Sequence, residues 1–419
     1  MVDTVTEDSL EVRAMDEFKS LGYNLIDAYT PNREDLKDST GRTNKDQVVL
    51  SQVLIQSLKE INPHIPGEII HDEAKAIIED ASLNSKLLKD KNYERYQDIL
   101  NGIKVKFRRE GKETIEYLNL IDYENPKNNT FTVARQVWID GEYGYRRPDI
   151  LVYINGLPLV WIELKKPSEN VQLGYTYNLI NQKHDIPQLF FFNQLCIISN
   201  GHQTKAGSYN SSFSHYFEWL KVDDEKEKID RKMIDNNEIS LQYLIKGLMP
   251  KEKIIDYIEN FILYLNKDTK IVAKSHQFIG VNNAIDSFKN RDGKNGKLGV
   301  FWHTQGSGKS FSMVMYVRKI RRKYSGNYTF LMITDRDDLN TQLLKNFVRT
   351  GVIQDSDAVK AKSGSHLREM LQSNTSMIFT LIHKFRSDYD TKFPLLSTRE
   401  DIIVIVDEAH RTQYKELAE

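Results

Sequence analysis

The stretch from Arg146 to Pro167, RRPDILVYINGLPLVWIELKKP, sets the strictest limits on how this chain folds. Two apolar runs flank Asn155-Gly156, and they carry Asp149, Glu163 and Lys165. Burying an unpaired charge is costly, so apolar strands do not recruit such groups for stability. Side chains at i and i+2 of a strand share a face, so Glu163 and Lys165 point the same way. Trp161, Ile162 and Leu164 are left to pack around them.

The register of this hairpin follows from its turn. A two-residue turn at Asn155-Gly156 pairs Ile154 with Leu157 and sets Asp149 opposite Ile162, on the wrong face. A three-residue loop from Asn155 to Leu157, with Gly156 at positive φ, pairs 154 with 158 and Asp149 with Glu163. Three-residue loops with a bulge are common, and a slip of one residue inverts every side chain. The expectation is the second register, or a bulge with the same effect. Two carboxylates then face each other beside a lysine, a pocket suited to one hard divalent cation. The alternative is a surface hairpin whose charges are solvated or ion-paired. The apolarity of both strands and the basic pair Arg146-Arg147 favour the metal site.

With 419 residues, two or three domains are expected, each with its own core. The net charge of −1 means that any nucleic-acid surface must be a local patch. The single cysteine, Cys196, rules out an intramolecular disulfide and fits a reducing compartment. It lies in the apolar run LFFFNQLCIIS and reads as an inert core residue. The acidic N-terminus lacks a signal-peptide apolar region, and no apolar stretch reaches membrane-spanning length. A cytoplasmic protein with no membrane contact is expected.

Helical spacing predicts a helix over 7–21, with Glu11 at the edge of its apolar face and Gly22 as the stop. Further helices are expected over 46–61 and 69–89. From Ile103 to Trp138 the period changes to that of strands, and the hairpin should continue that sheet. Residues 171–184 read as helix and 188–199 as a core strand, giving a first α/β domain over residues 1–220. Residues 221–270 read as a charged linker followed by connecting helices, at about 241–248 and 252–266. The second domain, 271–419, alternates helix, turn and strand signals as βαβ units do.

That domain holds LGVFWHTQGSGKSFSMV, in which an apolar strand is expected to run into Gly306-Ser307-Gly308-Lys309-Ser310 and then a helix. Glycines let backbone N–H groups wrap phosphate oxygens, and the helix N-terminus adds partial positive charge. Lys309 would contact the β- and γ-phosphates of ATP and Ser310 would ligate Mg²⁺. The pattern departs from the usual phosphate loop at His303, where a glycine is expected. Downstream, IIVIVDEAH supplies Asp407 to meet Mg²⁺ and Glu408 to polarise the attacking water. Arg336, Gln342, Thr380 and Lys384 follow apolar strands, and are either nucleic-acid contacts or ordinary loop residues.

The order of these parts resembles the restriction (R) subunit of type I restriction–modification enzymes. The likeness rests on LEVRAMDEFKSLGY, LIDYENPKNNTF, the hairpin, IPQLFFFNQLCIISNG, the phosphate loop and VDEAHRTQ. It implies a PD-(D/E)xK endonuclease domain, a mixed sheet with flanking helices. A RecA-like P-loop domain with a parallel sheet, the first lobe of a superfamily 2 DNA translocase, would follow. Matched by position, Asp149, Glu163 and Lys165 fall on the nuclease triad, Glu11 on the acidic residue of the first helix, and Gln277 on an adenine-reading glutamine. Many members carry Q-x-x-x-Y on the helix after the lysine, where this chain has Leu179 and Lys183.

The resemblance thus implies Mg²⁺-dependent cleavage of double-stranded DNA, Asp149 and Glu163 holding the ion with the Leu164 carbonyl and Lys165 assisting. Tyr145, Arg146 and Arg147 are candidates for gripping the DNA backbone. Cleavage would be coupled to ATP-driven translocation, with recognition left to specificity and methyltransferase subunits. The family's second motor lobe and its arginine fingers have no counterpart in these 419 residues, so the chain is expected to be a fragment with little ATPase of its own. Two rival readings are a translocase whose N-terminal domain binds DNA without cutting, and a module that only docks partner subunits.

Overall fold

The structure, a computed structural model, describes residues 6–407 apart from positions 83, 85, 355, 357, 374 and 386–394. The chain forms two compact units: one reaches Leu263 and includes Lys267–Ile279, the other holds Tyr264–Asn266 and the chain from Gly280 onward.

The first unit is built on a seven-stranded mixed sheet, in spatial order Asn24–Asp27, Phe131–Arg135, Ile150–Ile154, Leu157–Leu164, Leu195–Ser199, Thr204–Gly207 and Phe217–Glu218. The pairings of 24–27 with 131–135 and of 157–164 with 195–199 are parallel; the others are antiparallel. Every residue of Ile150–Ile154, Leu157–Leu164 and Leu195–Ser199 is buried. Such continuous apolar runs suit strands covered on both faces. The first helix, Glu7–Ser20, buries Leu10, Ala14, Met15 and Phe18, and Gly22 at φ 76° follows its end.

The hairpin reaches the expected alignment by the bulge. Its turn has two residues, with Asn155 at φ 52° and Gly156 at φ 81°, pairing Ile154 with Leu157 and Tyr153 with Pro158. The register then shifts, so that Val152 pairs with Val160 and Ile150 with Ile162. Asp149 and Glu163 come next in that register. The three-residue loop is therefore replaced by a tight turn plus one extra residue, Leu159. Burial fixes the turn. Asn155 Nδ2 donates to Leu120 O at 2.9 Å and Asn129 Oδ1 at 2.8 Å, while its Oδ1 accepts from Thr130 N at 2.7 Å. A Cβ on Gly156 would lie 2.7 Å from the Leu50 carbonyl oxygen.

Several segments depart from the periodicity. The second helix begins at Ser51, not 46, since Val48, Val49 and Leu50 enter the core as extended chain and Arg42 binds the Gln47 carbonyl. The 69–89 prediction divides into Gly67–Ile78 and the start of Leu88–Asn101. Ile103–Arg109 and Lys112–Leu118 form a separate two-stranded ribbon instead of joining the main sheet. The strand expected over 188–199 exists only as Leu195–Ser199. Before it, Asn92 takes the Phe190 and Phe191 carbonyls and Gln194 takes that of Phe192, so they cannot enter a ladder. Residues 221–270 include the helices Arg231–Asn237, Ser240–Leu248 and Lys251–Asn260, then strands Ile262–Leu265 and Thr269–Val272 in place of the end of the predicted helix.

The second unit has a four-stranded parallel sheet, in order Ala358–Lys360, Met377–Leu381, Thr329–Thr334 and Ile402–Val406. Helices Lys309–Lys323, Asp337–Arg349 and Gly364–Gln372 connect or flank these strands. The strand expected over 298–302 is not formed: residues 297–304 are irregular, with Val300 89% and Trp302 80% exposed. No helix among the described residues is long and apolar enough to cross a membrane.

Candidate active site

The charged ends of the hairpin meet the first helix. Asp149 Oδ2 accepts from the Leu164 backbone N–H at 2.7 Å, which ties the start of one strand to the end of the other. Lys165 Nζ donates to Glu163 Oε1 at 3.1 Å and to the Leu164 carbonyl at 2.7 Å. Glu11, only 4% exposed, faces the same cluster. Gln136 Nε2 bridges the two, donating to Glu11 Oε1 at 2.5 Å and to Asp149 Oδ1 at 3.2 Å. Its backbone is left-handed at φ 58°, and its N–H donates to the Asp149 carbonyl at 2.9 Å.

On the other side, Gln182 of the helix Ile180–Asp185 donates from Nε2 to Glu163 Oε2 at 3.2 Å. Its Oε1 accepts from Trp161 Nε1 at 2.8 Å. Indole N–H is only a donor, so Trp161 fixes which end of the amide faces Glu163. Trp161 and Glu163, two apart on one strand, thus share this partner.

Burial strains the ionisation of every carboxylate here. Burial and the neighbouring Asp149 push Glu11 up to about 8, against the opposing hydrogen bond from Gln136. Burial raises Asp149 to about 6, although the Leu164 N–H and Lys165 favour its charged form. Glu163 is raised well above the usual carboxylate range, by burial first and by Asp149 second. Burial opposes the charge on Lys165, but Glu163 and Asp149 overcome it and raise its pKa. Arg135 Nη1 lies 3.8 Å from Glu11 Oε2 and favours its charged form, so three carboxyls meet one ammonium and one guanidinium, a site still short of positive charge.

That shortage fits a divalent cation. Glu11 Oε2 is buried without a hydrogen-bond partner, and the Asp149 and Glu163 carboxylates and the Leu164 carbonyl are hard oxygen donors. Among the described residues no three His, Cys, Asp or Glu side chains converge as a complete cage. Mg²⁺ retains several waters and is typically held by one or two carboxylates, so two suffice.

In the second unit the glycines and the helix start of the phosphate loop take the conformations expected of them, without the strand expected before them. Gly306 at φ 77° and Gly308 at φ 88° take left-handed backbone that side chains disfavour. Gly308 caps the helix Lys309–Lys323, so Lys309 and Ser310 sit in its first turn. Asp407 follows Ile402–Val406, its N–H bonded to the Ile333 carbonyl at 2.9 Å. Glu408 lies outside the described residues. Gln277, which the sequence grouped with the phosphate loop, belongs to the first unit; it is 4% exposed, and its side-chain oxygen accepts from Lys274 N at 3.0 Å at the start of its own helix. Of the four residues read either as nucleic-acid contacts or as ordinary loop residues, Thr380 is fully buried inside its strand and Lys384 Nζ binds the Ala361 carbonyl. Arg336 and Gln342 remain exposed, just before and within the helix Asp337–Arg349.

Residues 4–215 match the type I restriction enzyme R protein N terminus, just over half of the chain. The chain belongs to the type I restriction enzyme R-protein family. Residues 276–419 match the SWI2/SNF2 ATPase family. The HindI endonuclease subunit of Haemophilus influenzae is 33% identical over 98% of this chain and 39% of its own length. A putative type I restriction enzyme endonuclease subunit of Methanocaldococcus jannaschii, MjaIXP, is also 33% identical, over 98% and 40%. A Staphylococcus aureus subunit is 26% identical over 80% and 36%. The chain thus spans about two fifths of the length of these relatives.

The matched R-protein segment contains Glu11, Asp149, Glu163 and Lys165, and the ATPase segment contains Gln277, the phosphate loop, Asp407 and Glu408. Two residues of the carboxylate site escaped sequence reasoning: Gln136 and Gln182. Neither stands in a motif read from the residues, and both are recognisable only once the first helix and the helix after Lys165 close on the hairpin. At the positions set against the missing Q-x-x-x-Y, Leu179 is fully buried and Lys183 Nζ binds the Tyr209 carbonyl at 2.8 Å. The glutamine that reaches Glu163 is Gln182, one residue before Lys183.

Proposed function

We propose that the first unit hydrolyses phosphodiester bonds of double-stranded DNA with Mg²⁺, and that the second binds ATP with Mg²⁺ to drive translocation in the full-length protein. The observation that carries the nuclease reading is the meeting of Asp149, Glu163 and Lys165, with Glu11 beside them, in a desolvated cluster short of positive charge. A purely structural hairpin gains nothing from gathering three desolvated carboxyls around one lysine, with only the Arg135 guanidinium beside Glu11 to offset them. Specificity and methyltransferase subunits would supply recognition, in the cytoplasm.

In this reading Asp149 and Glu163 hold the ion with the Leu164 carbonyl. When bound, the ion supplies charge that polarises the scissile phosphate and lowers the pKa of water. Lys165, gathered at Glu163 and the Leu164 carbonyl, is placed to steady negative charge developing on the phosphate. Gln182 holds the Glu163 carboxylate in orientation, and Gln136 spaces Glu11 from Asp149. In the second unit Lys309 takes the β- and γ-phosphates, Ser310 and Asp407 the second Mg²⁺ and Glu408 the attacking water.

The deciding experiment is Mg²⁺-dependent DNA cleavage by the assembled enzyme, wild type against Asp149→Ala, with and without ATP. Cleavage should fall by about 10³-fold or more in the variant while DNA-stimulated ATPase persists. Cutting at the wild-type rate by Asp149→Ala would sink the assignment.

A further inference from the structure

Beside the carboxylates lies a ladder of rings and guanidinium groups. Arg147, two residues before Asp149, is held between two aromatic faces, its guanidinium 5.3 Å from the Tyr29 ring centre and 4.8 Å from that of Trp138. Trp138 meets Tyr145 at 5.8 Å, and the Arg33 guanidinium lies 4.2 Å over the other ring of that pair, Tyr145. The Trp138 N–H is bonded to the Thr30 carbonyl at 3.3 Å, which fixes the central ring. Tyr29 and Tyr145 are nevertheless 55% and 52% exposed.

The two adjacent arginines differ. Arg146 grips Asp185 with Nε at 2.6 Å and Nη2 at 2.5 Å, so its fork is occupied within the protein. Arg147 makes no hydrogen bond or ion pair among the described residues. The two rings hold its guanidinium in place while its N–H groups have no partner among the described residues, which suits an outside phosphate.

Resting on the DNA-cleavage reading above, we propose that Tyr29, Arg147, Trp138, Tyr145 and Arg33 form a binding surface for unpaired DNA, so that the strand entering the carboxylate site is locally single-stranded. The rings decide between paired and unpaired DNA. A duplex keeps its base faces stacked on one another and offers a protein only groove edges and backbone. The exposed parts of Tyr29 and Tyr145 offer an apolar surface that suits the flat face of a base released from the stack. Arg147 would take a phosphate of the same strand between the stacked bases.

The test is binding by the 419-residue chain in EDTA, which needs no cutting. Labelled oligothymidylate, a blunt duplex and the same duplex with unpaired arms are compared by fluorescence anisotropy. Oligothymidylate and the armed duplex should bind more tightly than the blunt duplex. Tyr29→Ala and Arg147→Ala should each weaken oligothymidylate binding about tenfold, with little change for the blunt duplex, while Tyr29→Phe retains it. Photocrosslinking of iodouracil-substituted oligonucleotide to the wild-type chain, read by mass spectrometry, should mark Tyr29, Trp138 or Tyr145. Equal loss on duplex and single strand, no loss on either, or crosslinks lying only elsewhere would overturn the proposal. Crosslinks at the ladder together with normal cleavage by Asp149→Ala would leave this surface standing and remove the nuclease assignment instead.

Discussion

In the first unit the strands Ile150–Ile154 and Leu157–Leu164 are buried at every position, and their charged ends meet side chains from two helices and a loop. In the second unit the edge strand Ile402–Val406 leaves Val404 49% and Val406 38% exposed, and the phosphate loop follows irregular chain. Both sites place charged residues at strand ends. The carboxylate site draws its geometry from packing on all sides, so its side chains are oriented before any ligand arrives. The phosphate loop draws its shape from two left-handed glycines and a helix start, so it depends little on the sheet beside it.

The largest expected effect is on stability. Leu159→Ala, at the buried bulge, should cost about 2–5 kcal/mol in urea unfolding of the first unit. Val404→Ala at the exposed edge should stay within about 0.5 kcal/mol. Equal losses would mean that the edge of Ile402–Val406 is covered in solution, and the contrast between the units would fail.

A smaller effect separates orientation from scaffold. Gln182→Leu removes the hydrogen bond to Glu163 and the acceptor for Trp161, and cleavage by the assembled enzyme should fall by about 10–100-fold. Metal affinity, followed by Mn²⁺ titration, should weaken with it. Unchanged Mn²⁺ binding in Gln182→Leu would reduce Gln182 to packing.

A third effect is a pH dependence of stability. Glu11 ionises near the ordinary value of 4.5 when unfolded and at about 8 when folded. Between those values the folded state holds a proton that the unfolded state has released, so stability falls as pH rises through this window. Glu11→Gln should flatten that slope and melt above the wild type at pH 8 in EDTA, with little difference at pH 4.5. Mg²⁺ should raise the wild-type melting temperature more at high pH, where the carboxylates are free of protons. Parallel slopes for wild type and Glu11→Gln would place the cost of burial elsewhere.

Much of the frame was legible because it is local. Apolar alternation marked the strands, the first helix ended within one residue of its predicted stop, and glycines marked the phosphate loop. The errors fall where long-range partners overrule local preference. Asn92 and Gln194 hold the carbonyls of 190–192 out of the sheet, and the apolar run at 298–302 pairs with no strand among the described residues. Glu11 came from resemblance, because one glutamate at the edge of a helix carries no distinguishing local signal.

For the hairpin, the sequence by itself determined that Glu163 and Lys165 share a face, since strand period admits nothing else. It also placed the chain reversal at Asn155-Gly156, though as a three-residue loop and not the two-residue turn observed. The tertiary structure alone decided how Asp149 comes opposite Glu163. The buried side chain of Asn155 and the close approach of Leu50 to Gly156 force the two-residue turn, and Leu159 then absorbs the extra residue. Gln136 and Gln182 likewise became part of the site only through packing, because hydrogen-bond partners far apart in sequence are set by how elements close on one another.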